Sequence, residues 1–157
     1  MRQIAALLRC GQGGRVTIGD KVYGGPGPYA EKILAFAPGD RQAPSLQTVA
    51  PDGTLPILGG VRMPAGVARG VVCDGKVVSW AVARLPDEAG VRHITVETDP
   101  RYRRRGFAKA CLQALLQDVD APLLYLCDSR NKHSARAALS AGFVLIGTME
   151  TNPIGRV

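Results

Sequence analysis

Two hydrophobic periods organise the second half of the chain. VARGVVCDG and KVVSWAVARL read as two strands joined by Asp74-Gly75, a strong hairpin signal. After the PDEAG turn, VRHITVETD alternates as a third strand. From about Arg105 to Val119 the apolar positions change to Ala108, Cys111 and Leu112, Leu115 and Leu116, then Val119, one helical stripe facing a sheet. APLLYLCD follows as a buried strand, NKHSARAALSAG as a short helix, and FVLIGTME as a last strand. This order predicts an α/β (α+β) fold: a sheet of mixed strand direction flanked by helices, in a single domain spanning 1–157.

Residues 1–65 are punctuated instead by glycine and proline, with GPGP at 25–28, PDG at 51–53 and GG at 59–60, which allows only short elements. Arg2 to Arg9 fits a short helix through Ile4, Leu7 and Leu8. Tyr29 to Ala37 fits a helix (Tyr29, Ile33, Phe36) or a strand (Lys32, Leu34, Phe36). LQTVA and TLPIL around Pro51-Asp52-Gly53 predict a hairpin, which Pro56 weakens. The CGQGG run lacks the spacing and context of a phosphate loop.

Composition narrows the class of partner. With 157 residues and 46% apolar content, the chain can bury one sizeable core. Its net charge of +7 favours an anionic partner, whether phosphorylated cofactor, nucleic acid or acidic protein. Aromatic content of only 5% leaves few stacking platforms and disfavours nucleic acid. Cys10, Cys73, Cys111 and Cys127 show no zinc-ligand spacing, so no metal is expected and buried thiols in a reducing cytosol are the plainer reading. No apolar run approaches a membrane span, and MRQIAALLRCGQ is a poor signal peptide, so the expected location is cytoplasmic, with no membrane partner.

The candidate chemistry sits between the third strand and the first helix. There Tyr102 to Ala108 reads YRRRGFA. N–H groups at a helix start lack intrahelical acceptors and lie at the positive end of the helix dipole. Gly106 lets a ligand approach the backbone, and Arg103, Arg104 and Arg105 can hydrogen-bond phosphate oxygens. Cations at a helix start are themselves unfavourable, by about 0.3–1 kcal/mol each, so three in a row call for a compensating anion. The pattern predicts a diphosphate cradle.

Arg103-Arg104-Arg105-Gly106-Phe107-Ala108 resembles the pyrophosphate loop of the GNAT superfamily of acetyl-CoA-dependent N-acyltransferases, Arg/Gln-x-x-Gly-x-Gly/Ala, without a mismatch. Asn131-x-x-Ser134 followed by Gly142-Phe143 resembles the asparagine-containing helix and Gly-Phe turn of the same family. The resemblance covers roughly residues 66–150, the expected acetyl-CoA-binding core, and leaves 1–65 as an atypical part expected to shape the acceptor pocket. It implies a mostly antiparallel central sheet. The pantetheine arm would pair with the main chain at Val96, Glu97 and Thr98, the loop from Arg103 through Gly106, Phe107 and Ala108 to Lys109 would hold the diphosphate, and Asn131 and Ser134 would close the cofactor side. Acetyl-CoA is thus the implied acyl donor and an unidentified primary amine the acceptor. A homodimer, common in such proteins, is left open.

Direct transfer to an amine requires proton removal, since an alkylammonium (pKa about 10, as in lysine) cannot attack. Alternation puts His93, Thr95 and Glu97 on one strand face and Arg92, Ile94, Val96 and Thr98 on the other. His93 and Glu97 are the candidate bases, about 13 Å apart along the strand and so not one dyad. The tyrosine acid that the resemblance implies falls on Ala138; water or Tyr125 could protonate the thiolate instead. Cys127, Trp80 and His133 are expected as cleft wall or core, core, and solvent-facing residues. Two other readings compete: an acyl-CoA-binding regulatory module without efficient catalysis, and a basic nucleic-acid binder.

Overall fold

A computed structural model describes residues 9–10, 16–18, 21–23, 31–60 and 62–151 of the chain. Strands β1 (Arg9–Cys10), β2 (Val16–Ile18) and β3 (Lys21–Tyr23) form a small antiparallel sheet. The main sheet holds β4 (Glu31–Pro38), β5 (Gly66–Cys73), β6 (Lys76–Arg84), β7 (Arg92–Thr98), β8 (Leu123–Asp128) and β9 (Phe143–Thr151), in the order β5-β6-β7-β8-β4-β9. Helix α1 (Phe107–Asp118) joins β7 to β8, and α2 (Lys132–Ala141) joins β8 to β9. All neighbouring strands of the main sheet run antiparallel except β7 and β8. This is the sheet of mixed direction that the hydrophobic pattern predicts, mostly antiparallel as the resemblance implies.

Local chemistry accounts for the elements around the site. Asp74 and Gly75 both take positive φ, 51° and 73°, as a two-residue hairpin turn between right-twisted strands requires. β6 is buried along Val77–Ala83, the mark of a central strand covered on both faces. The stripe of α1 places Cys111, Leu112, Leu115 and Leu116 against Val71, Val78, Ala81, Ala83 and Ile94 of the sheet. Each leucine, fully buried, contributes about 1.5–3 kcal/mol. Helix α2 adds Ala138 and Ala141 to the same cluster, so both helices lie on one face. On the other, Val77, Trp80 and Val82 are covered by Ile57 and Met63, which makes Trp80 a core residue as expected.

One open expectation about the first half is decided and another changes. The segment from Glu31 is strand, because it is inserted between β8 and β9 and must satisfy ladders on both sides. The expected hairpin around Pro51-Asp52-Gly53 does not form. Val49 instead bridges Gly70 of β5 and Ile57 bridges Val77 of β6, so each half pairs with the large sheet rather than with the other. Asp52 takes the Thr54 N–H (2.9 Å) and hydroxyl (2.6 Å) into a local turn. Between Pro38 and Gly66 the chain crosses α1, where buried Gln113 accepts the Ser45 N–H at 2.9 Å, before rounding β5. The helix expected over Arg2 to Arg9 lies outside the described residues, apart from Arg9 in β1. Among the described residues no helix is long and apolar enough to cross a membrane.

Candidate active site

The sheet opens at its one parallel junction. β7 and β8 pair only at Arg92 with Leu123 and His93 with Leu124, and then part. Beyond that point β7 stays bound to β6, from Ala83↔Ile94 to Ser79↔Thr98, while β8 stays bound to β4. The direction of the β7 polar groups follows from two hydrogen bonds. The Arg92 N–H reaches Pro122 O on the β8 side, and the Asp99 N–H reaches Val78 O on the β6 side, both at 2.9 Å. Alternation turns the N–H and C=O groups of Ile94, Val96 and Thr98 to the β8 side; the His93–Leu124 rung takes up Ile94, so those of Val96 and Thr98 face the opening, where no strand meets them. An open strand edge of this kind binds an extended amide-bearing chain.

The phosphate-loop candidates lie at the wide end. Asp99 accepts the Arg101 N–H and guanidinium, both at 3.0 Å, and starts a 3₁₀ turn over Pro100–Tyr102. The Arg101 side chain, then its backbone N–H, hold the Asp99 carboxyl below its ordinary range. Arg104 and Gly106 take left-handed backbone, φ 63° and 77°, which swings the chain into α1. The first hydrogen bond of the helix is Ala110 N–H to Gly106 O, 3.1 Å, so the N–H groups of Phe107, Ala108 and Lys109 precede any helical acceptor. A Cβ on Gly106 would meet nothing within 4 Å, which marks open space over the loop. Arg105 lies over the Tyr102 ring, 5.0 Å from its centroid. Arg103 Nε donates to Thr98 O at 3.3 Å, bridging the loop to the strand edge. The expected helix start at Arg105 moves to Phe107, because Gly106 with its left-handed φ is the cap.

The other expected residues divide. Asn131 caps α2, its Oδ1 accepting the Ser134 N–H at 3.1 Å, and Ser134 Oγ lies 2.5 Å from the Tyr125 hydroxyl. Burial first of all lifts the Tyr125 pKa, against the opposing Ser134 hydrogen bond. Burial likewise lifts the Cys127 thiol. Ala138 is fully buried under the sheet, so no acid occupies that turn of α2. His133 is exposed. His93 and Glu97 share the face turned away from the helices, since Ile94 and Val96 pack into the cluster beneath α1. They are not brought together: His93 stands where β7 and β8 part, while exposed Glu97 lies opposite Trp80 of β6.

Asp87, in the β6–β7 turn, was not among the expected residues. Its Oδ2 lies 3.1 Å from His93 Nε2, and its Oδ1 accepts the N–H groups of Ala89 (2.9 Å) and Val91 (3.0 Å). Burial would raise this carboxyl, but the Val91 N–H, the His93 ring and the Ala89 N–H outweigh it and hold the pKa below the ordinary value. The PDEAG turn signalled an Asx turn at Asp87, but only the register of β7 shows that His93 returns beside it. Among the described residues no group of three or more His, Cys, Asp or Glu side chains could hold a metal.

An open strand edge leading to a glycine-bearing helix start can take an extended chain ending in a diphosphate. The profile described as the Acetyltransferase (GNAT) family matches residues 45–143, well over half of the chain. The protein belongs to the GNAT acetyltransferase family. Among solved structures it is similar to an acetyltransferase of the GNAT family from Novosphingobium aromaticivorans, with 21% identity, TM-score 0.62, and coverage of 93% of this chain and 75% of that one. It is also similar to a GNAT-family acetyltransferase from Colwellia psychrerythraea, with 14% identity and TM-score 0.54, over 76% of this chain and 54% of that one, about half its length. At these identities the likeness shows the fold. No curated protein matches the chain. GNAT membership implies acyl transfer from acetyl-CoA, and the open edge and helix start found here fit that donor.

Proposed function

We propose that the protein is an acetyl-CoA-dependent N-acetyltransferase that acetylates a primary amine of a small molecule or peptide by direct attack. The observation that carries this reading is the parting of β7 and β8 beside the Gly106 loop. Val96 and Thr98 offer main-chain groups to the pantetheine amides, while Arg103, Arg104, Arg105 and the N–H groups from Gly106 to Lys109 hold the diphosphate. Asn131 and Ser134 form the wall on the α2 side. A bound acetyl thioester supplies the electrophilic carbonyl. A β7 N–H turned into the opening, near Val96, is placed to stabilise the oxyanion. Residues 39–60 and 62–65, which round β5 onto the face bearing Trp80, supply part of the acceptor side. The free thiols Cys73, Cys111 and Cys127 fit a reducing, cytoplasmic setting.

The test is calorimetry with acetyl-CoA and CoA, followed by thiol release across a panel of amines. Saturable binding with turnover supports the enzyme. Binding without turnover across the panel would favour a second reading, an acyl-CoA-binding module, which the buried Ala138 motivates. No binding would overturn both.

A further inference from the structure

We infer that Asp87 and His93 form the proton-accepting dyad of this site, with Asp87 the positioning residue and His93 the catalytic base. The inference rests on the acetyltransferase reading and adds to it a residue and a tautomer. Asp87 is fixed before it meets the ring: its own N–H donates to Val91 O, its carbonyl accepts from Gly90 N–H, both at 2.9 Å, and its Oδ1 takes two more backbone N–H groups. An ionised carboxylate only accepts hydrogen bonds, so the ring nitrogen facing Oδ2 carries the hydrogen. That nitrogen is Nε2, 3.1 Å away. In the neutral ring the lone pair is therefore on Nδ1.

The place of the ring gives this tautomer a use. His93 pairs with Leu124 at the last register position before the strands part, so it stands at the apex of the opening. It lies on the face away from α1 and α2, because Ile94 next to it is buried beneath α1. Its partner is partly open to solvent: the His93 and Asp87 side chains are 28% and 31% exposed, enough for an amine to approach. The other charged groups nearby are Arg84 at the end of β6, Glu88 in the turn, and Arg92 and Glu97 on β7. Arg92 is directed at the carbonyls of Ala83 (3.5 Å) and Arg84 (3.3 Å), and none of the four hydrogen-bonds the ring. In the transfer step the amine nitrogen forms a bond to the thioester carbonyl carbon and its proton passes to His93 Nδ1. The C–S bond then breaks, its electron pair leaving with sulfur. The imidazolium returns its proton to water, and the thiolate takes one from water.

Asp87→Asn tests the dyad without dismantling the turn. The amide oxygen still accepts the Ala89 and Val91 N–H groups, while the amide NH₂ now faces Nε2 and forces the hydrogen to Nδ1. The chain has two histidines, so ¹⁵N NMR of the rings, with His133→Gln for assignment, reads the tautomer directly. Wild type is expected as Nε2–H and Asp87→Asn as Nδ1–H. With methylamine as probe nucleophile, Asp87→Asn should lower kcat roughly 10²-fold while acetyl-CoA affinity and Tm hold. His93→Ala should fall as far and recover when imidazole is added. An unchanged tautomer in Asp87→Asn, turnover equal to wild type, or no imidazole rescue would overturn the dyad alone. So would a wild type that binds acetyl-CoA yet releases no thiol with methylamine. Wild-type protein that does not bind acetyl-CoA would overturn the acetyltransferase reading beneath it.

Discussion

Gly106→Asp should separate the fold from the proposed cradle, with a small cost in one and a large cost in the other. The residue has φ 77° and ψ 13°, and a Cβ there meets no atom within 4 Å. No clash arises, so the folding penalty is the left-handed backbone alone, about 1–2 kcal/mol for an L residue and at the low end for Asp. For a domain of this size that lowers Tm by roughly 2–4 °C per kcal/mol. Binding suffers more. The new carboxylate fills the space above the Phe107, Ala108 and Lys109 N–H groups and repels the diphosphate. Losing two hydrogen bonds to a charged group, at about 1.5–3 kcal/mol each, weakens CoA by more than ~10²-fold. Calorimetry with CoA and acetyl-CoA at two salt concentrations, beside a thermal melt, measures both. A folded variant whose Kd stays within about threefold of wild type would refute the assignment of the loop.

Gly142→Ala should do the reverse: φ is 106°, and a Cβ would run into the Asp40 carbonyl oxygen, so the Tm drop should exceed that of Gly106→Asp while CoA affinity of the folded fraction is kept. Tyr125→Phe removes a hydroxyl bound to Ser134 and should cost about 1 kcal/mol in a melt. Its kcat should fall less than about tenfold, since a phenol whose pKa is raised by burial is a poor donor to a thiolate; a loss beyond ~10²-fold at unchanged Tm would make it the acid. Cys111 has its thiol pushed by burial from 9.0 to about 12. Its folded pKa is raised, so the stability it contributes is complete below the unfolded value and is lost as pH climbs from 9.0 toward 12. Alkylation followed by mass spectrometry should show Cys73 modified in the native protein and Cys111 only as the protein unfolds in that range.

What was legible in the sequence was what neighbouring residues decide. The Asp74-Gly75 turn, the alternation of β6 and β7 and the stripe of α1 each follow from local geometry, and the RRRGFA loop followed from a strand feeding a helix. The failures share one cause. LQTVA and TLPIL have strand composition, yet their partners are Gly70 and Val77, chosen by the large sheet and invisible to a local reading. Asp87 and His93 lie six residues apart across a turn, and their contact exists only because β7 leaves that turn in one register. Glu97, judged from alternation alone, was as good a base as His93. The point at which β8 departs and the Asp87 contact with His93 tell them apart.

That point depends on a strand far from the motif. β8 leaves β7 after Leu124, and its remaining residues would expose both edges if nothing else bound them. β4 prevents this by pairing with β8 from Phe36↔Tyr125 to Ile33↔Asp128 while its other edge binds β9. The β4–β9 ladder shifts register between Ala35 and Phe36, with Ile146 of β9 as the extra residue, while the β4–β8 ladder runs on unbroken. Phe36 then packs edge-on against Tyr125, 5.9 Å between ring centroids, and closes the core beneath the far wall of the opening. The cleft is therefore as much a product of Glu31–Pro38 as of the arginine loop: the loop is the proposed diphosphate site, but β4 is the partner that β8 takes where it stands apart from β7.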